Sequence, residues 1–353
     1  MAEATSLGEV LRHAESQVGQ TVRMRIVVIG GTGHVGSFLV PRLVRAGHEV
    51  VSLSRGSRQP YVVDPAWASV QKVTVDREAE DAAGTFPDRV RDLQADVVID
   101  MLCFTIESAR ALVDGLRGHV GQLVHCGSIW RHGISRKVPV TEDDATEPFG
   151  EYGVQKAAIA ALLHAETASG GLLTTSLHPG HISGPGWPVI TPLGNLDPSV
   201  WQRLSAGSEL AIPGIGTDLM HHVHADDVAQ AFTLAVEHRR EAAGQAFSVT
   251  AASALNARGF AAIAAGWFGR EAALRSVSWE EFRATTSTEW ADSSWQHLYR
   301  SQCMSIDKAR RLLGYEPAYE PEDAAREAVA WLVEHGEIEV DTPLLADATR
   351  GRG

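Results

Sequence analysis

A run of apolar, mostly β-branched residues at 25–29 ends in Gly30-Gly31-Thr32-Gly33-His34-Val35-Gly36, and an amphipathic stretch follows. Nothing else in the chain restricts its fold so sharply. Glycines at this density let the backbone turn tightly and approach a phosphate. The helix that follows turns its positive N-terminal end toward the same point. Read from Gly31 the pattern is GxGxxG, and read from Gly30 it is GxxGxxG. The strand–turn–helix setting supplies the specificity that glycine spacing alone lacks. A dinucleotide turn is expected here, with Gly30, Thr32, Gly33, His34 and Val35 against the pyrophosphate.

The rhythm set by that unit continues. Strand-like segments at 25–29, 49–53, 70–75, 96–101, 122–125 and 172–177 alternate with helical ones, including 35–46 and 106–116. This alternation predicts an α/β fold: a Rossmann-type doubly wound parallel sheet with a smaller C-terminal substrate lobe. Pro41 lies inside the first helix and works against its early turns. From Ser183 onward the rhythm breaks. Gly184, Pro185, Gly186, Pro188, Pro192, Gly194 and Pro198 crowd one stretch, which reads as loop. Later helices are expected over 225–238, 253–267 and 321–334. The division that follows is an extension over 1–23, a dinucleotide-binding core over 24–182, a mixed region over 183–340 and a tail over 341–353. The mixed region would contribute the substrate lobe and helices returning to the core. Seven of the nine tryptophans fall between Trp130 and Trp295. They either line the substrate lobe or fill its core.

Composition excludes several classes of partner. The 353 residues carry a formal net charge of −13, which repels phosphate backbones and argues against nucleic acid. No apolar run reaches the length of a membrane span. Glu3, Glu9, Arg12 and Glu15 interrupt the first 23 residues, which therefore do not read as a secretory leader. Cys103, Cys126 and Cys303 lack metal-ligand spacing and suit a reducing compartment. A cytoplasmic protein acting on a small molecule is expected.

The second strand bears on the choice of cofactor. A dinucleotide fold that takes NAD usually places an acid about 20 residues after the glycines, to hold the ribose hydroxyls. Here that strand ends in Ser54 and Arg55, with Arg58 close behind. Arginine can clamp a 2′-phosphate in two-pronged fashion, so NADP(H) is favoured, with NAD(H) the alternative. Asp76, just past the third strand, is placed to accept a hydrogen bond from the adenine amino group.

Chemistry is carried by Tyr152 and Lys156, four residues apart on one helix face. A phenol titrates near pH 10, and a neighbouring ammonium favours the phenolate and lowers that value toward a working range. The same lysine can hold the ribose of the nicotinamide half. Ser128 follows the fifth strand, at the edge where α/β sheets bind ligands, and can donate to a substrate oxygen as charge builds on it.

Glycine turn, strand-end serine and YxxxK occur in an order that resembles the extended short-chain dehydrogenase/reductase family, of the NAD-dependent epimerase/dehydratase type. The resemblance runs from Met24 to about Glu334. It includes Cys126-Gly127-Ser128 ending in Gly133, the stretch His178 to Gly186, His224-Ala225-Asp226-Asp227-Val228-Ala229, Ser305 to Ala309, and Leu313-Gly314-Tyr315. It implies a bound nicotinamide cofactor and a catalytic Ser128, Tyr152 and Lys156. Nicotinamide contacts are implied from Pro179, Gly180 and Ile182, with Leu102 and Cys126 at the ends of neighbouring strands. Homodimers are common in the family. Trp130 and His181 join Ser128 as substrate-facing residues. The expected activity is hydride transfer at a carbonyl or alcohol carbon of a small polar substrate. The alternatives are a nucleotide-sugar epimerase or dehydratase with tightly retained NAD, and a non-catalytic NAD(P)-binding regulator.

The chain departs from the sugar-nucleotide members at two points. Where they usually carry an arginine for the substrate diphosphate, Met220 stands, and a methionine cannot neutralise a diphosphate. Where they carry an asparagine, His181 stands. Arg203, Arg283 and Arg300 are the cations that could take over. His221, His222 and His224 with Asp226 and Asp227 look like a metal cluster, but adjacent strand residues face opposite ways. No metal is expected, and His224 and Asp226 read as structural, the aspartate capping a helix. Cys103 and Cys126 read as packing residues rather than nucleophiles.

Overall fold

A computed structural model describes residues 22–346. The expected extension over 1–23, apart from its last two residues, and the end of the tail lie outside the described residues. Seven strands form one parallel sheet in the order β11-β6-β5-β4-β1-β2-β3. They are β1 (Arg25–Ile29), β2 (Glu49–Ser54), β3 (Gln71–Thr74), β4 (Val97–Asp100), β5 (Gln122–Cys126), β6 (Thr174–Pro179) and β11 (Ala246–Val249). The central strand β1 pairs with β2 from Arg25↔Glu49 and with β4 from Ile26↔Val97. The chain therefore winds outward in both directions from the β1–β4 seam, and the crevice above that seam is where such sheets hold ligands.

Helices cover both faces. One layer consists of α1 (Gly36–Arg45) with α7 (Ala225–Glu237), the short α8 (Arg239–Ala242) and α12 (Asp307–Leu313). They close over a core containing Ile26, Val28, Leu39, Val97, Val124 and Phe232. The other layer is α2 (Arg77–Ala83), α3 (Phe86–Arg91), α4 (Ile106–Leu116) and α5 (Gly150–Ala168), packed on Val27, Ile29, Val98, Leu112, Leu123 and Ile159. Alternate residues of β1 thus feed opposite cores, as a strand buried on both faces requires. Pro41 sits inside α1 and is buried beside Leu39, Val40 and Leu43. The packing of that apolar face outweighs the lost backbone hydrogen bond.

A third core, with Trp201, Phe260, Trp267 and Phe282 at its centre, belongs to the C-terminal region. It gathers α6 (Ser199–Ala206), α9 (Ala257–Trp267), α10 (Trp279–Thr285), α11 (Thr288–Leu298) and α13 (Pro321–Glu334). Three small strand pairs stitch it to the sheet: β7 (His181–Ser183) with β10 (His222–His224), β8 (Leu210–Pro213) with β13 (Leu274–Val277), and β9 (Leu219–Met220) with β12 (Leu255–Asn256). The helix expected from residue 253 begins only at Ala257. Leu255 and Asn256 pair with Met220 and Leu219, and the Asn256 carboxamide caps the helix by accepting from the Gly259 N–H at 2.7 Å. The sixth strand begins two residues later than its apolar run, because the Leu172 N–H is taken by Glu166 at 2.8 Å. Among the described residues, no helix is long and apolar enough to cross a membrane.

Beneath the crevice lies a buried ion pair. Arg77 reaches under β4 and meets Asp100 at 2.5 Å, with Phe86 4.8 Å from its guanidinium carbon on the other side. Burial pushes the Asp100 carboxyl up, but the Arg77 charge, its hydrogen bond and the Leu102 amide outweigh that and hold it below the usual range. Removing one partner of such a pair strands a buried charge, which typically costs about 3–5 kcal/mol. Asp81, 3.2 Å from Arg77 Nε, stays as its second partner, so Asp100→Asn is expected to lower unfolding free energy by roughly 3 kcal/mol, the low end of that range, in urea titration. A loss under about 1 kcal/mol would contradict the pairing. Because the Asp100 value is depressed on folding, the pair's contribution is present above the ordinary aspartate range and fades as pH falls through the folded-state value.

Candidate functional site

The glycine turn occupies the mouth of the crevice. Gly30 sits at φ +88°, a conformation side chains disfavour, and its N–H donates to Leu53 O at 2.8 Å. A Cβ on Gly36 would run into the Gly31 carbonyl oxygen, so the first turn of α1 lies directly on the loop. No side chain caps α1, and its first turn holds no acid. An uncapped helix start behind a turn that excludes side chains fits a pyrophosphate, whose charge complements the free amides. Leu102, just beyond β4, presses on Gly30. His34 turns the other way, stacked on Trp187 at 5.6 Å and edge-on to Tyr61 at 6.3 Å. Burial pushes its imidazole down to about 3, helped by the nearby His224, so it stays neutral.

Around the adenosine end, Ser54 closes β2, and its hydroxyl accepts from the Gly56 N–H at 3.3 Å. Arg55 and Arg58 follow it and are exposed. Arg58 donates to the Tyr61 hydroxyl at 3.1 Å. Asp76 has another task than the one expected of it: its carboxylate caps α2, accepting from the Ala79 N–H at 3.2 Å. An Asp one residue before a helix competes strongly for the free amides there.

At the opposite end of the crevice the backbone gathers Ser128, Tyr152 and Lys156. Lys156 is 1% exposed. Its Nζ donates to the carbonyl oxygens of Cys103 and Cys126, each at 2.8 Å, and so bridges the ends of β4 and β5. It stands 4.9 Å from the Phe104 ring centroid and 5.6 Å from that of Tyr152. Burial lowers the lysine, against the opposing influence of the nearby Cys126 and Cys103 sulfurs and of Asp100. Burial also pushes the Cys103 and Cys126 thiols up, to about 12 and about 11, so both remain protonated.

Tyr152 differs from expectation. The residue keeps 40% of its surface exposed. Burial first, and the neighbouring Cys126 second, push the phenol up to about 12, while the nearby Ser128 side chain pulls the other way. The ammonium that was expected to lower it is turned onto two carbonyls instead. Ser128 is itself fixed from behind: its N–H donates to His178 Nδ1 at 3.2 Å, and a Cβ on Gly127 would collide with that imidazole. Its hydroxyl accepts from the Trp130 N–H at 3.2 Å, starting the 3-10 turn Ile129–His132. Gly133 ends that turn at φ +71°, where a Cβ would strike the Glu147 carbonyl. Pro179 ends β6 beside this site, Gly180 packs against the His221 carbonyl, and Ile182 pairs with Val223.

The side of the site that faces the C-terminal region is aromatic and imidazole-rich. Trp130 meets Tyr152 edge-on at 5.7 Å and His297 at 4.8 Å, and His297 meets His181 at 5.0 Å. Both His181 ring nitrogens are buried without a hydrogen-bond partner. Burial holds His181 well below its ordinary value, with His297 and His222 adding to the effect. The neighbouring histidines serve backbone groups. His221 Nδ1 accepts from the Met304 N–H at 2.9 Å, and His224 Nδ1 from the Asp226 N–H at 3.0 Å. The cap of α7 is thus His224 rather than Asp226, which pairs bidentately with Arg42. Among the described residues no group of three His, Cys, Asp or Glu side chains is placed to hold a metal.

The cations considered for a substrate diphosphate are not gathered here. Met220 is buried in the C-terminal core, and Arg203 and Arg283 lie exposed. Arg300 is buried with its donors on Phe149 and Gln296. Sequence reasoning passed over His178, Phe104 and Phe149, because their roles arise from strand ends and helix starts far apart in the chain. The glycine beside Ser128 was the one local signal for His178. If the phenol is held protonated as described, the difference in tyrosinate absorbance between the parent and Tyr152→Phe should stay near zero up to pH 10 in the ligand-free protein. A one-tyrosine difference appearing below pH 9 would contradict it.

Comparison with known proteins follows the same lines. The model of the "NAD dependent epimerase/dehydratase family" matches residues 26–250. The 2'-dehydrokanamycin reductase of Streptomyces kanamyceticus is 32% identical over 147 residues, 42% of this chain but only 40% of that relative's length. The UDP-glucose 4-epimerase of Streptomyces lividans is 28% identical over 242 residues, 61% of this chain and 72% of the relative. Among solved structures, the UDP-glucose 4-epimerase of Thermotoga maritima superposes with a TM-score of 0.67 at 19% identity. That superposition covers 88% of this chain and 99% of that one, and at such identity it is a likeness of fold.

Proposed function

This chain belongs to the NAD dependent epimerase/dehydratase family, and on that premise we propose that it reduces a carbonyl carbon of a small, polar substrate, with Tyr152 as the proton donor. The observation that carries the reading is the gathering of Ser128, Tyr152 and Lys156 at one end of the crevice, with the buried Lys156 Nζ 5.6 Å from the centroid of the Tyr152 ring. Ser128 orients the substrate oxygen. Tyr152 gives that oxygen its proton as the C=O π pair collapses onto it, since an alkoxide is the stronger base. The tyrosinate left behind regains its proton from solvent. A reduced nicotinamide, when bound, supplies the hydride.

Gly30, Thr32, Gly33, His34 and Val35 would hold the pyrophosphate; Leu102, Cys126, Pro179, Gly180 and Ile182 would line the nicotinamide end. Lys156 has three ammonium donors. Two already engage carbonyls, which leaves one for the ribose hydroxyls. Exposed Arg55 and Arg58 after Ser54, with no acid at that strand end, favour NADP(H) over NAD(H). The reading carries with it a homodimer, common in the family the chain resembles. Three free cysteines suit a cytoplasmic, reducing setting.

The substrate lacks a nucleotide diphosphate. Support comes from the buried Met220, from the internal commitment of Arg300, and from neutral imidazoles with unmet hydrogen-bonding capacity at His181. Such groups complement hydroxyls rather than anions. The tested consequence is that Tyr152→Phe lowers kcat for carbonyl reduction by about 10²–10⁴-fold, while NADPH affinity changes less than threefold. Parent-like turnover in that variant, or cofactor consumption by NADH alone, would overturn the respective parts of the reading.

A further inference from the structure

Arg300 follows α11 in the C-terminal region and is 1% exposed, yet no carboxylate is paired with it among the described residues. Its guanidinium carbon lies 3.8 Å from the centroid of the Trp130 ring and 3.8 Å from that of Phe149, so two aromatic rings lie against it. Nη2 donates to the Phe149 carbonyl at 2.8 Å, and Nη1 donates to the backbone and side-chain oxygens of Gln296 at 2.5 and 2.8 Å. Nε is buried without a partner. Burial drives the guanidinium down to about 10. A desolvated, unpaired cation is a poor choice for packing alone, because an apolar side chain of similar volume would fill the same space without a desolvation penalty.

What Arg300 joins gives it a use. Trp130 is two residues beyond Ser128 in the 3-10 turn, and Phe149 is the residue from which α5 starts, three before Tyr152. The guanidinium lies against the helix start. A Cβ on Gly153 would stand 3.0 Å from the Trp130 carbonyl, tighter than ordinary contact, so the Ser128 turn and the first turn of α5 approach closely there. Arg300, arriving from 148 residues beyond Tyr152, packs at that junction, its Nη2 in contact range of both Gly150 and Gly153. Trp130 in turn bears edge-on against Tyr152 at 5.7 Å.

We propose that Arg300 is a positioning residue that locks the Ser128 turn against the start of the tyrosine helix and thereby sets the Ser128–Tyr152 spacing. It acts through two aromatic faces and one carbonyl, and touches neither substrate nor cofactor. The role rests on the reduction assigned above to Ser128 and Tyr152. A planar, five-donor fork lying against two rings has no equivalent in lysine.

The test compares the parent with Arg300→Lys, Arg300→Met and Phe149→Leu, using amide hydrogen exchange, NADPH binding, and turnover of whichever carbonyl compound the parent reduces. In all three variants, exchange is expected to rise about tenfold at 128–133 and 149–156 and nowhere else. kcat should fall by up to about 10²-fold, as for misplacement of the reacting groups by about 1 Å. KM and the NADPH dissociation constant should stay within twofold. Unchanged exchange in both segments, or parent-like kcat in Arg300→Lys, would overturn the proposal. Should the parent reduce no carbonyl compound at all, the assigned reaction fails, and the exchange comparison alone still decides whether Arg300 is the lock.

Discussion

The site depends on one ammonium bound between two strand ends. β4 and β5 are parallel neighbours; β5 ends at Cys126, and Cys103 lies three residues past the end of β4. Lys156 joins the two by donating to Cys103 O and Cys126 O, and because it comes from α5 it fixes the helix against the sheet in the same act. Tyr152, one turn earlier on α5, is thereby set above the seam, facing the serine that β5 delivers. A charge this deeply buried is tolerable because two of its three donors engage carbonyls and because the Asp100 carboxylate lies near enough to favour it. The Arg77–Asp100 pair below is part of the same arrangement, since it keeps that carboxylate charged.

This arrangement reverses a simple expectation about the tyrosine. A lysine four residues on would favour the phenolate if its charge faced the phenol. Here the charge is spent on carbonyls, and desolvation dominates. The outcome is a phenol that stays protonated beside a serine rather than a phenolate waiting for a proton. That state suits the direction in which a carbonyl becomes an alcohol. The C-terminal region adds an aromatic wall, with Trp130 between the tyrosine and His297, and imidazoles that burial keeps neutral.

Much of the fold was legible because its signals are local. Strand-length apolar runs, helical periodicity and the glycine turn each need only a few neighbouring residues to be read, and the sheet from β1 to β6 follows from them. Pro41 shows the limit of a local rule: propensity opposed α1, and packing of its apolar face on one core kept it. The start of α9 and the shift of β6 escaped for the converse reason, a capping Asn256 and a Glu166 side chain that compete for backbone groups. Within the site, Ser128, Tyr152 and Lys156 were legible from order and spacing. The capping of α2 by Asp76 was not foreseen, although a carboxylate just before a helix competes strongly for its free amides. Arg300 and Phe149 could not be assigned their contacts from sequence, since the two lie 151 residues apart and meet only once the C-terminal region folds back.

The central claim is that the buried Lys156 ammonium both joins the strand ends and presents its remaining donor to the cofactor. Lys156→Met preserves length and apolar volume while removing the charge and all three donors. Equilibrium titration of NADPH into that variant, with its far-UV circular dichroism confirmed against the parent, tests the claim most directly. The account predicts a dissociation constant raised at least about tenfold, in line with the roughly 1.5–3 kcal/mol of a charge-assisted hydrogen bond. A folded variant that binds NADPH as tightly as the parent would contradict it.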